Sequence, residues 1–511
     1  MHNRKEQLCE PSCLGVFVAN HNSFYLPRSR EDAKFHKGYA QQESLLCEPS
    51  CPGVFVANLN SILTRLENFI LKQEDEQMKS MAFFRVPMAV SVFFFFTLLW
   101  MANPASVLCG VTHTAVVATV AADYSSAAHS VISVEPAGGP RTVQNNLLPT
   151  LVSDITVSAY ENFFYRIEKF QADNVTKFDI AAPSVPVWQF SALDSGESGS
   201  SNPYGLFFVS SQKAYLLRYG KSKAWIVNPS ATVSSEFKIG ELDFSAYADS
   251  DGIPEMNTAV IANGKLFVTL ERLDRNNGWL PSNTPYVAVL DTATDTEINT
   301  GTANSDGVKG IALPIRNIGA IQYLEENSSI YVQGVGDYGS SWSGRDPAYS
   351  GGIVRIDPAS YTVSLILDDG DAENHPYGNI SGMSIVSADK GYFVGYDGWG
   401  DNTLYEFNPS NGSVRGIANE SLKNKNIAGM ESGAYADENG MLWVCNQTDA
   451  EVVVLDTSDN SIDETITTNL NPVRVVFTTQ GEPDSSSDSE TEANSDSGGG
   501  GGCFLNTFLG F

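Results

Sequence analysis

Hydrophobic residues between positions 111 and 480 fall in short runs rather than in helical periodicity. The runs are rich in β-branched and aromatic residues and are broken by Gly, Asn, Asp and Ser, a pattern typical of β-strands joined by turns. Asn-Gly pairs at Asn263-Gly264 and Asn439-Gly440 separate such runs and predict tight hairpins. No segment has the apolar spacing of an amphipathic helix. The pattern therefore predicts an all-β domain.

A recurring phrase divides this domain into units. Each phrase is a strand run that ends in an acidic or amide residue, usually followed by Pro or Thr, as in VRIDP and VVVLDT. The terminal residues, called the anchors below, are 44 to 66 residues apart, the span of one four-stranded propeller blade with variable loops. The anchors are Glu135, Asp179, Asn228, Asp291, Asp357, Asn408 and Asp456.

Seven such units predict a seven-bladed β-propeller. One small sheet cannot bury both of its faces alone, but sheets stacked around an axis can, and closing the ring protects the edges. Residues 472–477 form a strand run with no downstream partner, and residues 115–122 and 129–134 form an incomplete first blade. We expect the C-terminal strand to pair with the N-terminal blade and close the ring.

The spacing and phrases resemble the YncE-like (YVTN) seven-bladed β-propeller family. The match is strongest at residues 452–472, VVVLDTSDNSIDETITTNLNP, and at 286–297, YVAVLDTATDTE. The resemblance covers about residues 112–479, and it implies a fold and a binding role more readily than a reaction.

Residues 1–110 differ from the propeller region. In residues 1–77 the phrase LCEPSC-x-GVFVAN occurs twice. These residues are either an upstream extension before a start at Met78 or a small module that binds a metal or forms disulfides through Cys9, Cys13, Cys47 and Cys51. Residues 78–110 contain a basic start, an apolar stretch at 88–101 and small residues after it, which predicts a secretory signal peptide. Export from a bacterial cytoplasm, to the periplasm, the outer membrane or the cell surface, is therefore expected.

Two features concern how the exported protein would be attached to the cell, and each allows two interpretations. Residues 106–110, SVLCG, resemble a lipobox in which Cys109 would be lipidated, but Leu108 departs from that motif, and ordinary signal cleavage is the alternative. Residues 481–511 form a Ser-, Asp- and Gly-rich tail with an apolar end that contains Cys503. This composition predicts a flexible segment, which is either solvated or an anchor.

The formal net charge of −29 narrows the class of partners. The first 110 residues contain ten basic and ten acidic side chains, so the whole negative balance lies on the region expected to be exported. This excess argues against nucleic acid as a ligand and against an anionic membrane surface, leaving a lipid or the tail as the membrane attachment. Cys445 lies in a strand run, where a buried apolar role is expected.

Signals for catalysis are sparse. The chain has no G-x-S-x-G, H-E-x-x-H or Walker motif, and Gly334–Gly339 fits G-x-G-x-x-G only as a turn-rich loop. The three histidines beyond residue 110 lie in different units, which disfavours a His-ligated metal. A metal-assisted hydrolase would need oxygen ligands from several blades to converge on the axis. Its candidates are Asn257, Asn317, Asn379 and Glu431.

Two acidic loops are candidate Ca²⁺ sites. The run D-x-D-G-x-x-E gives Asp249, Asp251 and Glu255, and a second run gives Asp368, Asp369 and Asp371. Ca²⁺ prefers several carboxylate and carbonyl oxygens on a tight turn, and glycine permits such a turn. The alternative is that both runs are solvated turns between blades.

Aromatic residues mark the longer loops. Trp279, Trp342, Arg345, Asp397 and Trp399 lie in loops that interrupt three units. Long propeller loops gather at one mouth of the ring, where ligands bind. These side chains would offer stacking surfaces and polar contacts to a sugar or a peptide, unless each Trp only covers its own blade.

The sequence favours an exported, monomeric, non-catalytic propeller that binds a protein, peptide or glycan at the cell envelope. The alternatives are a lactonase-like hydrolase with a divalent ion on the axis and a structural protein of a surface layer. No cofactor is indicated except Ca²⁺.

Overall fold

The computed structural model describes residues 112–302, 306–340, 344–432 and 440–480. Within them the chain forms a seven-bladed β-propeller of four-stranded antiparallel sheets, which confirms the predicted fold class. The expectations for residues 1–110, for Cys109 and for residues 481–511 lie outside the described residues. No helix in the described part is long and apolar enough to span a membrane.

The strands of each blade follow the chain from the axis outward, except in blade 1, where the last strand of the chain is innermost. Blade 1 contains β29 (Asn471–Gln480), β1 (Thr112–Val120), β2 (Ala127–Ser133) and β3 (Val143–Thr150). Blade 2 contains β4 (Ile155–Tyr160), β5 (Phe163–Glu168), β6 (Asn174–Asp179) and β7 (Pro186–Ser191). Blade 3 contains β8 (Pro203–Ser210), β9 (Lys213–Arg218), β10 (Lys223–Val227) and β11 (Lys238–Asp243).

In blade 4 the outermost strand is split in two. The blade contains β12 (Met256–Ala262), β13 (Lys265–Leu270), β14 (Tyr286–Asp291), and the short β15 (Thr296–Glu297) and β16 (Ile311–Ala312), which both pair with β14. Blade 5 contains β17 (Ile318–Leu324), β18 (Ser329–Gly334), β19 (Gly352–Ile356) and β20 (Val363–Leu367).

The last two blades are regular. Blade 6 contains β21 (Asn379–Ile385), β22 (Gly391–Tyr396), β23 (Asn402–Phe407) and β24 (Val414–Ile417), and blade 7 contains β25 (Ile427–Ser432), β26 (Met441–Asn446), β27 (Glu451–Asp456) and β28 (Ile462–Thr467). Helical structure in the described residues is limited to five 3₁₀ turns, which are Ser234–Glu236, Ser245–Tyr247, Arg275–Asn277, Glu325–Asn327 and Glu420–Leu422.

The ring closes as predicted. β29 pairs antiparallel with β1 from Thr112 opposite Gln480 to Val120 opposite Asn471. The C-terminal strand is therefore the innermost strand of a blade whose other three strands are N-terminal. This pairing leaves no open sheet edge where the ends of the ring meet.

The hydrophobic core is divided among the blade interfaces. In the described residues each pair of neighbouring blades encloses its own buried cluster, seven in total, including one between blades 7 and 1 that contains Trp443, Val454 and Val117. The middle strands of a blade thus bury both faces. This explains why the phrases VAVLD and VVVLD are continuously apolar rather than alternating.

The seven anchors share one local role. Each accepts a hydrogen bond from the backbone N–H two residues later, for example Asp357 Oδ1 from Ala359 N at 2.8 Å and Asn408 Oδ1 from Ser410 N at 2.8 Å. The other five are Glu135, Asp179, Asn228, Asp291 and Asp456. The side chain caps the turn after the third strand, which is why Asp and Asn dominate at this position.

Four lysines connect the blades at these same turns. Lys177, Lys213, Lys265 and Lys390 each donate to the backbone carbonyl directly after the anchor of the next blade. Lys213 Nζ lies 2.7 Å from Thr292 O, and Lys265 Nζ lies 3.2 Å from Pro358 O and 2.8 Å from the Tyr361 hydroxyl. Each of these turns therefore follows the third strand of its own blade and also accepts a hydrogen bond from a lysine of the neighbouring blade.

Each blade has four antiparallel strand positions, with β15 and β16 sharing the outermost position of blade 4. Every innermost strand therefore begins on the same face of the ring, here called the upper face. Connections from second to third strands and from one blade to the next lie there, while the anchors lie on the lower face. Six of the seven innermost strands carry a register shift near their upper end, at Tyr204, residues 257–258, Gly319, Ser381, Ala428 and Val473. Such bulges bend a strand and redirect its side chains.

We predict that Lys265→Met lowers the free energy of unfolding by about 1.5 kcal/mol, because the carbonyl of Pro358 loses a charged donor while the alkyl packing is kept. Urea unfolding of the full chain would measure the loss. Lys223→Met is the matched control, since Lys223 makes an exposed ion pair with Glu241 within its own blade, and its loss should be much smaller. Equal effects of the two substitutions would show that the contact between blades contributes nothing specific.

Candidate functional site

The predicted binding residues and acidic loops all lie on the upper face where they are described. Asp249, Asp251 and Glu255 connect blades 3 and 4, and Asp368, Asp369 and Asp371 connect blades 5 and 6. Trp279, Arg345, Asp397 and Trp399 lie on the loops between the second and third strands of blades 4, 5 and 6, in that order. Trp342 lies outside the described residues. The upper face of blades 4 to 6 is therefore the candidate site.

In blade 4 the loop before β14 is held by an ion pair. Glu255 is fully buried, its Oε1 lies 2.6 Å from Arg275 Nε, and its Oε2 accepts from Leu273 N at 3.1 Å. The Arg275 guanidinium also lies over the Trp279 ring, 4.7 Å from its centre. The carboxylate thus fixes the arginine, and the arginine supports the tryptophan.

A second buried carboxylate lies beside this ion pair. Glu271 follows β13 directly, and its Oε2 accepts from the Tyr219 hydroxyl of blade 3 at 2.8 Å. Arg275 also donates to the Tyr219 carbonyl, at 3.1 Å. Burial raises the pKa of Glu255 to about 9 and that of Glu271 to about 8, although the Arg275 charge opposes both shifts. Two carboxylates therefore share one arginine in a buried environment.

The loops of blades 4 and 5 meet at Gly278. This glycine adopts φ +71°, and a Cβ built on it would lie 3.9 Å from Arg345 Nη1. Arg345 Nε in turn lies 2.8 Å from Asp337 Oδ2. The structure thus places Trp279 and Arg345, two of the predicted binding residues, on neighbouring loops of one surface.

The loops of blades 5 and 6 carry residues of two predicted kinds, namely Asp369 as a candidate Ca²⁺ ligand and Asp397 as a candidate binding residue. Asp369 is fully buried, and its Oδ2 accepts from Gly351 N at 2.9 Å. Burial raises its pKa to about 7. Burial also raises the pKa of Tyr349, and the charges of Asp397 and Asp369 raise it further. The Tyr349 ring stacks on His375 with 3.9 Å between ring centres.

The acidic loops do not assemble a metal site in the described residues, where no three His, Cys, Asp or Glu side chains are grouped to hold an ion. Several of the carboxylates cap their own turns instead. Asp249, Asp251, Asp368 and Asp371 accept hydrogen bonds from nearby backbone N–H groups. Asp249 also accepts from the Asn283 amide at 2.6 Å. Ca²⁺ binding stays a prediction without support from this geometry.

The axial candidates for a hydrolase make contacts within the ring. The amides of Asn257, Asn317 and Asn379 donate to the backbone carbonyls of Ile318, Gly336 and Val335. Glu431 Oε2 lies 3.8 Å from Arg474 Nη2 on the neighbouring innermost strand. The amides therefore join loops and blades, and Glu431 has a cationic partner.

Sequence reasoning did not identify Glu271, Tyr219 or Tyr349 as site residues. Glu271 directly follows Leu270, the last residue of the buried strand β13. A charged residue at such a position can indicate a buried carboxylate. Tyr219 and Tyr349 reach the site only because neighbouring blades pack side by side, and no local pattern records this.

Comparison with known proteins finds similarity to solved structures. No protein-family model matches the chain, and the search of curated proteins found no match. Solved structures similar to it include apo AztD from Citrobacter koseri, which is 12% identical with a TM-score of 0.43 and covers 73% of this chain and 100% of that chain. Virginiamycin B lyase from Staphylococcus aureus is 13% identical with a TM-score of 0.39 and covers 61% and 83%.

A chain in a nidogen/laminin complex is 9% identical with a TM-score of 0.36 and covers 72% of this chain and 98% of that chain. At these values the comparisons carry no argument about what this chain binds or catalyses.

We predict that Glu271→Gln reduces the dependence of stability on pH. The pKa of Glu271 is raised from 4.5 to about 8 on folding, so the folded state holds a proton that the unfolded state releases. Its contribution to stability is present below about pH 4.5 and is lost as the pH rises toward 8. The wild type should lose on the order of 3 kcal/mol more than the variant between pH 5 and pH 8 in urea unfolding.

The matched control is Glu236→Gln, on an exposed 3₁₀ turn. It removes the same charge and should keep the pH dependence of the wild type. An identical pH dependence in Glu271→Gln and the wild type would contradict the role given to the buried carboxylate.

Proposed function

We propose that this chain is an exported ligand-binding propeller of the YncE-like kind, which uses the upper face of blades 4 to 6 to bind a protein, peptide or glycan of the bacterial cell envelope. The observation that carries the proposal is the gathering of Trp279, Arg345, Asp397 and Trp399 on one face. Exposed aromatic rings beside charged groups are common in recognition surfaces.

The contacts that hold these side chains in place favour a binding role. Trp279 rests on Arg275, which Glu255 holds, so this ring is fixed before any ligand arrives. Trp399 is 44% exposed on the corresponding loop of blade 6. A ring that is already fixed lowers the ordering cost of binding a ligand.

The hydrolase alternative has less support. The buried carboxylates Glu255 and Glu271 are engaged with Arg275 and Tyr219. A reaction site needs groups that can reach a substrate. Binding without chemistry therefore agrees better with the side-chain contacts.

A binding assay with the full chain tests this proposal. An array of peptides and oligosaccharides would be probed with the wild type and with Trp399→Ala. We expect a set of bound ligands whose signal falls about tenfold in the variant, because stacking on an exposed Trp contributes strongly to recognition.

The control is Ile462→Ala, which removes an apolar side chain of similar exposure from the outer strand of blade 7 and should leave the signals unchanged. Loss of every signal in the control, or signals that do not depend on Trp399, would contradict the proposal. Hydrolysis of a bound array member would replace it with the enzymatic alternative.

A further inference from the structure

Five aromatic side chains of blades 5 and 6 are at least partly exposed on the upper face and are called the aromatic group below. Three connections contribute them, namely those after β18, β20 and β22. They are Tyr338, Tyr349, His375, Tyr396 and Trp399. The inference below rests on the proposed function, since it names the ligand class of the same face.

Direct ring contacts join four of these side chains into two pairs. The ring centres of Tyr338 and Tyr396 are 4.5 Å apart, so this pair connects the loop of blade 5 with that of blade 6. The rings of Tyr349 and His375 are 3.9 Å apart and nearly parallel, with 8° between their planes. Because each ring already has a partner within the protein, the pairs are ordered before a ligand binds.

The loop of blade 5 brings the two pairs together. Asp337 N donates to Ala348 O at 2.9 Å, and Ala348 N donates to Asp337 O at 2.8 Å. Tyr338 and Tyr349 directly follow the two members of this bridge, so they are near neighbours on one loop. The four paired rings therefore belong to one region of the surface.

The Asp397 carboxylate lies beside this region. Gly378 adopts φ +63°, and a Cβ built on it would lie 2.5 Å from Asp397 Oδ1. Gly378 N donates to the His375 carbonyl at 3.1 Å, so the glycine closes the turn that begins at His375. The absence of a side chain at Gly378 thus lets an exposed carboxylate approach the turn that carries the imidazole.

Trp399 is the most exposed ring of the group. It is 44% exposed and lies between Gly398 and Gly400, and a Cβ built on either glycine would meet no atom within 4 Å. Asp397 N donates to Asp401 O at 3.2 Å and closes the turn that carries the indole. This turn therefore borders open space, two residues from the Asp397 carboxylate.

Exposed carboxylates without a cationic partner accompany the aromatic group. Arg345, the one Lys or Arg of the three connections, is held by Asp337, with Nε 2.8 Å from Oδ2 and Nη2 3.1 Å from Oδ1. A negatively charged ligand is disfavoured at such a surface. In the part of the chain that the structure describes, the exposed aspartates that make no ion pair are Asp346, Asp368, Asp371, Asp397 and Asp401.

The balance of donors and acceptors selects among the remaining ligand classes. Carboxylate oxygens accept hydrogen bonds and cannot donate them, so they complement a ligand rich in donors. A proline-rich peptide also binds aromatic surfaces, but its prolines lack the N–H donor. One cationic side chain covers one ring, whereas this group extends over three connections. An oligosaccharide combines many hydroxyl donors with apolar C–H faces that pack on successive aromatic rings.

We propose that the aromatic group binds a neutral oligosaccharide of the cell envelope. Pyranose units pack on the Trp399 indole and on the tyrosine rings, and the Asp397 carboxylate accepts hydrogen bonds from sugar hydroxyls. The ligand of this face is then a neutral glycan rather than an acidic glycan or a polypeptide.

Calorimetric titration of the full chain with neutral hexasaccharides of glucose, mannose, xylose and N-acetylglucosamine tests the inference. Hexagalacturonate, decaproline and tetralysine amide are the comparison probes. We expect binding of at least one neutral hexasaccharide and weaker or no binding of the comparison probes. Its affinity should change less than about twofold between low and high salt, because the ligand has no charge to screen.

Two exposed positions give the decisive variants. Trp399→Ala should weaken the binding about tenfold, because it removes the stacking surface, and Asp397→Asn about fivefold, because an amide oxygen accepts without a charge. Tyr349→Ala should also weaken it, and Tyr349→Phe, which keeps the ring, should restore most of the affinity. Thermal melts check that each variant is folded.

Two control variants lie away from the aromatic group. Leu365→Ala removes an apolar side chain that is 48% exposed on the outer strand of blade 5. Glu236→Gln removes an exposed negative charge from blade 3. Each should change the affinity less than about twofold.

Three outcomes would overturn the inference. The first is that no neutral hexasaccharide binds, or that hexagalacturonate binds more tightly than all of them. The second is sugar binding that is unchanged in both Trp399→Ala and Asp397→Asn, since the sugar would then bind elsewhere on the protein. The third is tighter, Trp399-dependent binding of decaproline or tetralysine amide, which would make the ligand a polypeptide and leave the proposed function standing.

Discussion

The pairing of β29 with β1 is the contact on which the remaining structure depends. Seven separate hydrophobic clusters lie between blades, and each is complete only when both of its neighbours are in place. Without the terminal strand, the clusters between blades 7 and 1 and between blades 1 and 2 would lose Val475 and Val476. One antiparallel pair therefore decides whether two of the seven interfaces are closed.

The sequence was sufficient to predict the architecture because its signals are local. An anchor such as Asp357 caps a turn within two residues of itself, so the phrase around it marks the end of the third strand wherever it occurs. The unpartnered strand at residues 472–477 likewise implied a distant partner, since a lone strand cannot satisfy its backbone groups. Both inferences depend only on short stretches of chain.

The contacts between blades could not be predicted in the same way. Lys265 finds its acceptor 93 residues later, at Pro358, and nothing next to either residue marks the pair. The same holds for the acidic loops, where Asp368, Asp369 and Asp371 look equivalent in the sequence. In the structure Asp368 and Asp371 cap turns, while Asp369 is buried. The loops of the candidate site could be predicted from the sequence, but the role of each side chain in those loops depends on packing.

The lysine contacts and the anchors lie on the lower face, whereas the long variable loops lie on the upper face. Replacing or lengthening an upper loop leaves the lysine contacts and the anchors untouched. Recognition can therefore diversify in evolution at little risk to folding, and related rings with unlike ligands would be expected to retain the same underside.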